Sequence, residues 1–374
     1  MSAVRIGLVV NPVAGLGGRV GLKGSDGAAV QTRALALGAV PCAGERAAVA
    51  LAELRARGGE FELYTAAGPM GATLAGTACH TVHRPPAVTS PDDTVAAVRA
   101  LVAAGVGLLL FAGGDGTARD VLRAVGDGST LPVLGVPTGV KMHSAVFAVN
   151  PRAAGEVAAA YLRGGVDVRR CEVMDRDPEA LRAGRLASRL YGWLSVPHVP
   201  VRVQSRKAGS AAVSPESAGG IAAELRARMS PGSLLVLGPG TTTRAVAAAL
   251  GVDVSPDGVN VLETGRGSAA LLAQDANADG LLALTHAREA HLALTPIGGQ
   301  GFLLGRGNQQ LTPDLLRRVG PARMAIVCTE AKLAALGGRP LLVDTGDEEL
   351  DAALTGHHRV ITGRRTTTMY RLVS

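Results

Sequence analysis

Aromatic side chains are scarce in this 374-residue chain, with one Trp, four Tyr and four Phe making up 2 % of it. The 38 Lys and Arg residues are dispersed and never form a run. A nucleic-acid surface needs cations that track a phosphate backbone and rings on which bases stack, so both absences argue against one despite the formal charge of +7. Small anionic ligands suit that balance better. Cysteine is equally sparse. Cys42, Cys79, Cys171 and Cys328 lie far apart with no CxxC pair, which excludes a disulfide framework and a zinc-binding pattern and fits a reducing cytoplasm. His80 and His83 have HxxH spacing but no acidic or thiol partner nearby, so they read as surface histidines, and no metal ligands are assigned. The longest nearly uncharged apolar run, residues 106–112, is far short of the ~20 residues a membrane helix requires. The N-terminus has no basic-then-apolar leader with a small-residue cleavage site. A soluble, cytoplasmic protein with neither membrane nor nucleic-acid partners is expected. Lysine is rare in this arginine-rich chain: only Lys23, Lys141, Lys207 and Lys332 occur, two of them in Gly-rich segments.

Glycine is plentiful, with 50 residues, and it punctuates an alternation of strand and helix patterns. The apolar run at residues 5–10 reads as a first strand, followed by helical patterns at 28–38 and 45–57 and a strand at 61–64. Ser90-Pro91-Asp92-Asp93 supplies an N-cap, a first-turn proline and first-turn acids for a helix reaching about residue 105. Strands at 106–112 and 131–136 bracket a helix at 117–125. Such alternation implies a doubly wound, mainly parallel sheet with helices on both faces. Beyond residue 151 the pattern becomes β-prone and is broken by Pro197 and Pro200, with a Gly/Ser/Ala-rich loop near Ser210. Strand-like segments recur at 233–237, 281–295, 324–329, 340–344 and 359–362, and helical ones at 243–250 and 348–354. The fold class read from this is α/β, with a second, β-rich (α+β) domain. The expected division is an N-terminal domain at 1–155, an acceptor-binding domain at 156–335 and a segment at 336–374.

Gly113-Gly114-Asp115-Gly116-Thr117 stands directly after an apolar strand and directly before a helix. Ligands bind at such strand ends, where glycines let backbone N–H groups reach phosphate oxygens and the helix N-terminus favours an anion. A carboxylate placed there needs a task of its own, either holding Mg²⁺ against phosphates or taking a proton from an attacking hydroxyl; the plainer reading is a tight turn in which Asp115 or Thr117 caps the helix. Asn11-Pro12-Val13-Ala14-Gly15-Leu16-Gly17-Gly18, continuing to Lys23, is a second strand-end glycine loop suited to a phosphate or ribose, with Lys23 as a point charge. At the end of the next strand, Lys141 and His143 either balance phosphate charge or belong to a structural turn. Gly238-Pro239-Gly240-Thr241 and Thr295-Pro296-Ile297-Gly298-Gly299-Gln300 have the composition of ligand-approaching turns, or of plain turns. Glu172 and Asp175 read as a solvated face, and Asp347 as a helix cap.

The motifs NPVAGLGG, GGDGT, GVKMHSAVFAVNP, GPGTTT and TPIGGQGFLLGRGNQQ together resemble the ATP-NAD kinase family, and within it a branch of NAD-kinase-like proteins that includes an acetoin-catabolism-associated member. The likeness spans nearly the whole chain. GGDGT is shared with diacylglycerol and sphingoid lipid kinases, which usually carry a GTGND-like segment where this chain has Thr138-Gly139-Val140-Lys141-Met142-His143. The resemblance implies that the C-terminal segment returns to the first domain and that Asp115 is the general base or orienting carboxylate. It further implies that Gly113, Gly114, Gly116 and Thr117 hold phosphates, that ATP or polyphosphate is the donor with Mg²⁺, that NAD is the acceptor, and that the protein is a homo-oligomer. Two other activities stay open at this point: a kinase for a lipid or other small alcohol, and a non-catalytic NAD- or ATP-binding accessory protein.

Overall fold

A computed structural model describes residues 3–22, 27–76, 78–139, 142–177, 188–200, 202–203, 213–265, 267–297 and 300–374. The expected loop near Ser210 lies outside the described residues. The chain divides into two compact units, Met1–Leu16 with Gly24–Arg206, and Gly17–Lys23 with Lys207–Ser374.

The first unit is built on a five-stranded parallel sheet of β1 (Val4–Val10), β2 (Phe61–Ala66), β3 (His80–His83), β4 (Leu108–Gly113) and β5 (Val133–Pro137), in the order β3-β2-β1-β4-β5. Strand β4, LLLFAG, is buried along its entire length, as expected of a central parallel strand covered on both faces. The helices Ala43–Arg57 and Pro151–Leu162 pack on each other, and so do Pro91–Ala103 and Asp115–Val125. The Asp93 carboxylate accepts from both the N–H and the hydroxyl of Ser90, so the expected cap is present. From β1 the chain steps outward to β2 and β3, then returns to place β4 on the other side of β1. The winding reverses between β1 and β4, and open α/β sheets bind ligands at the carboxyl ends of strands where this happens. β6 (Val168–Arg176) and β7 (Ser188–Pro197) form an antiparallel pair that completes the unit. His80 is exposed and stacks on Tyr64 at 4.7 Å; among the described residues no group of three or more His, Cys, Asp or Glu is placed to hold a metal ion.

The second unit is organised around a nine-stranded sheet, β10-β9-β8-β11-β13-β15-β16-β14-β12. Its strands are β8 (Leu234–Leu237), β9 (Asn260–Thr264), β10 (Ala269–Ala273), β11 (Ala290–Leu294), β12 (Phe302–Leu304), β13 (Met324–Val327), β14 (Leu341–Val343), β15 (Gly356–Gly363) and β16 (Thr366–Val373). The four at its centre, β8, β11, β13 and β15, run parallel. Alternate residues serve opposite faces: Leu234, Val236 and Leu292 enter one buried cluster, whereas Leu235, Leu237 and Ala293 enter another.

Two expectations differ from this arrangement. The first unit runs to Arg206, because β6 and β7 pack with it. The 336–374 segment supplies β14, β15 and β16 to the nine-stranded sheet, where β15 pairs with β13 and turns through Arg365 (φ 57) into β16. The two-residue turn, Arg364-Arg365, lacks the Gly or Asn that usually marks such hairpins, so this pairing left little signal in the sequence.

Candidate functional site

Three segments meet at the carboxyl ends of β1, β4 and β5. Asn11 follows β1: its N–H donates to Ala112 O (3.0 Å) and its side-chain amide donates to Thr117 Oγ1 (3.0 Å), joining two strand ends. Glycine is required at Gly113, where a Cβ would overlap the Thr117 side chain, and at Gly15, where φ is +82° and a Cβ would overlap Thr138 O. Gly114 and Gly139 also approach so closely that a Cβ on Gly114 would lie 3.4 Å from the Gly139 Cα. The helix starts at Asp115, two residues earlier than its apolar pattern suggested, and its first internal bond runs from Ala118 N to Gly114 O (3.0 Å). The N–H groups of Asp115, Gly116 and Thr117 therefore have no intrahelical acceptor and are available to an anion. The Thr138 Oγ1 is buried without a partner.

Asp115 is 7 % exposed. Its Oδ2 accepts from His143 N (2.7 Å) and its Oδ1 from Ser144 N (3.0 Å). Burial pushes its pKa from 3.8 to about 7, outweighing those bonds, which favour the ionised form; the nearby Asp175 charge adds to the rise. Asp115 is the first residue of the helix rather than its cap, which is Gly114, and its carboxylate is held by the loop after β5.

Ser144 escaped the sequence reading. It is fully buried, and besides its N–H to Asp115 its hydroxyl donates to Met174 O (2.8 Å) and accepts from Met174 N (3.0 Å), which ties the Asp115 partner loop to β6. A lone polar residue before the apolar run AVFAV was the available signal. Asp175, read as part of a solvated face, is instead buried and paired with Arg119 at 2.9 Å. Arg119 is one helical turn after Asp115, so the pair joins that helix to β6. The His143 ring meets Ser188 Oγ at 2.8 Å.

The other sequence candidates fall in several places. Gly17 and Gly18 belong to the second unit, where a Cβ on Gly18 would press on the Gln309 side chain at 3.1 Å. Gly238 follows β8 and donates to Ala293 O (2.9 Å), and Gly240, at φ +144°, lies against the Thr295 methyl. Thr241 opens the next helix, exposed, while Thr295 is buried at the end of β11. Gln300 is half-buried before β12. Lys23, Lys141, Gly298 and Gly299 lie outside the described residues.

A switch-point glycine loop with free helix N–H groups and a buried acid defines a phosphate-handling α/β protein. The model of the ATP-NAD kinase N-terminal domain matches residues 6–166 and that of the ATP-NAD kinase C-terminal domain matches residues 234–372. The chain belongs to the ATP-NAD kinase family and is a kinase-type phosphotransferase. A search of curated proteins returned no match. Among the described residues no helix is long and apolar enough to cross a membrane.

Proposed function

We propose that the chain is an ATP-dependent NAD kinase, transferring the γ-phosphoryl group to the adenosine-ribose 2′-hydroxyl of NAD to give NADP. The observation that carries this reading is Asp115, a buried carboxyl with a pKa near 7 beside helix N–H groups that have no intrahelical acceptor at the strand ends. In this mechanism the ionised Asp115 accepts the proton of the 2′-hydroxyl as its oxygen attacks the γ-phosphorus, and the bond from that phosphorus to the β,γ-bridging oxygen breaks to release ADP. The backbone N–H groups of Gly116 and Thr117 hold phosphate oxygens, and the glycines keep the approach clear of side chains. His143 N–H and Ser144 N–H fix the carboxylate, and holding base and hydroxyl together supplies part of the acceleration.

Mg²⁺ takes hard oxygen donors, which the nucleotide's phosphates and the Asp115 carboxylate would supply. When bound it would neutralise charge on the phosphoryl group in flight. Gly113 and Gly114, with Asn11 and Gly15 behind them, shape the phosphate cradle, while Gly238, Gly240, Thr241, Thr295 and Gln300 are assigned to nucleotide contacts in the second unit.

The test is NADP formation by the purified protein with ATP, Mg²⁺ and NAD, with Asp115→Asn in parallel. NADP from the wild type and little from the variant is the expected result. ATP consumption without NADP would reject NAD as acceptor, and a wild type that binds nucleotide with no turnover would reject catalysis. Replacing ATP by polyphosphate in the same assay distinguishes the two donors.

A further inference from the structure

The second unit contains a charge that the mechanism does not use. Lys332, in the helix Glu330–Ala335 after β13, is 7 % exposed. Among the described residues its ammonium meets one partner, the Thr295 hydroxyl at 3.3 Å, and no carboxylate pairs with it. A buried cation without a counter-charge is a costly arrangement, and burial holds its pKa below the ordinary lysine range. The ionisable group acting on it is Cys328, whose thiol burial pushes up to about 11, so it is neutral near pH 7 and compensates nothing.

The surroundings are equally incomplete. β8, β11, β13 and β15 run parallel and end side by side, with Leu237 opposite Ala293, Leu294 opposite Ile326, and Val327 opposite Ile361. Gly238, Thr295, Cys328 and Thr362 follow those paired residues. The loop after β8 touches the end of β11, because a Cβ on Gly240 would overlap the Thr295 methyl. Thr242 is 0 % exposed and Thr362 is 6 % exposed, and the hydroxyl of each has no hydrogen-bond partner. The nine-residue helix Thr241–Ala249 makes its first internal bond from Arg244 N to Gly240 O (3.1 Å), which leaves the N–H groups before it without intrahelical acceptors. An unbalanced cation, orphan hydroxyls and free N–H groups along one rim all lack the same thing, a compact oxyanion.

We propose that this rim of the nine-stranded sheet is a second anion site, in which Lys332, Thr295 and Thr242 bind a phosphate group. Phosphate matches these donors better than carboxylate does: a lysine supplies a point charge, and single-donor hydroxyls suit a tetrahedral anion, whereas planar bidentate pairing is the work of arginine. The inference rests on the kinase reading only for the carrier of that phosphate, a nucleotide or inorganic polyphosphate.

The test is calorimetric titration of the full chain with sodium tripolyphosphate, ATP and NAD separately. It compares wild type, Lys332→Met, Thr242→Val and Asp115→Asn. Lys332→Met should lose at least tenfold in affinity for one or more of these ligands while melting at or above the wild-type temperature, since it removes an uncompensated buried charge. Thr242→Val should lose severalfold, and it remains informative if Lys332→Met fails to fold. A loss extending to ATP or NAD makes the bound phosphate a nucleotide's; one confined to tripolyphosphate makes it inorganic. Asp115→Asn should keep the Lys332-dependent binding, which separates this inference from the catalytic one. Unchanged affinity of Lys332→Met and Thr242→Val for all three ligands, or a wild type that binds none of them, overturns the proposal.

Discussion

The rim of the five-stranded sheet and the rim of the nine-stranded sheet share a backbone design but carry opposite buried charge. In each, a glycine turn leaves a parallel strand and enters a helix whose first N–H groups are unpaired, and in each a glycine yields to a threonine: Gly113 to Thr117, Gly240 to Thr295. The first rim surrounds an acid held by two backbone N–H groups, whereas the second surrounds a lysine held by one hydroxyl. In the proposed reading backbone donors at strand ends attract anions at both rims, and the side chain placed among them decides whether the rim serves as a base or as a counter-charge.

The difference is sharpest for Asp115→Asn. It should lower kcat about 10²–10⁴-fold, the range for losing a general base, in an NADP assay. A drop of less than tenfold would make Asp115 structural and leave the two rims functionally alike. Titration separates them next. Below about pH 7 the wild-type rate should fall roughly tenfold per unit as Asp115 takes up its proton, with a plateau above. Folded Asp115 holds its proton up to about 7, whereas an unfolded aspartate releases it near 3.8. Its contribution to stability is therefore complete below 3.8 and lost as pH rises through about 7. The melting temperature of Asp115→Asn relative to wild type should accordingly improve between pH 4 and pH 8. A pH-independent difference would contradict the raised pKa.

A methyl group added to either rim tests their shared design. Gly113→Ala and Gly240→Ala should each destabilise by about 1–3 kcal/mol in urea unfolding, because each Cβ overlaps a threonine side chain. A neutral result at one would show that its threonine has room to move. Ser144→Ala breaks the tie to Met174 and should cost about 1 kcal/mol while moving the acid limb of the rate profile to higher pH, with KM for nucleotide unchanged. An unmoved limb would reduce Ser144 to packing. The smallest effect is expected from Asn11→Ala, about 0.5 kcal/mol in stability through the lost, part-buried Thr117 bond.

Local patterns carried four of the five strands of the first sheet, the capped helix at Pro91–Ala103 and the strand-glycine-acid-helix order around Asp115, because each is written in consecutive residues: an apolar run, a cap, a turn. Strands β3, β6, β9, β10, β12 and β16 were not anticipated: β6, β10 and β16 have exposed, mixed faces that blur the alternation marking a strand, and β3, β9 and β12 are only three to five residues long. The rarity of lysine drew attention to Lys23 and Lys141, which sit among glycines, and passed over Lys332, whose neighbours Thr295 and Cys328 only the fold brings to bear on it. By itself, then, the sequence determined four strands of the parallel first sheet and the glycine-acid loop, properties of short contiguous segments, and the family, whose motifs recur along nearly the whole chain. Only the tertiary structure decided that Asp115 would be dry enough to titrate near 7, that Ser144 would brace it with Asp175 as a nearby like charge, and that the C-terminal hairpin would join the second sheet. Desolvation and strand pairing depend on what residues distant in sequence place around a group, and no local pattern records that.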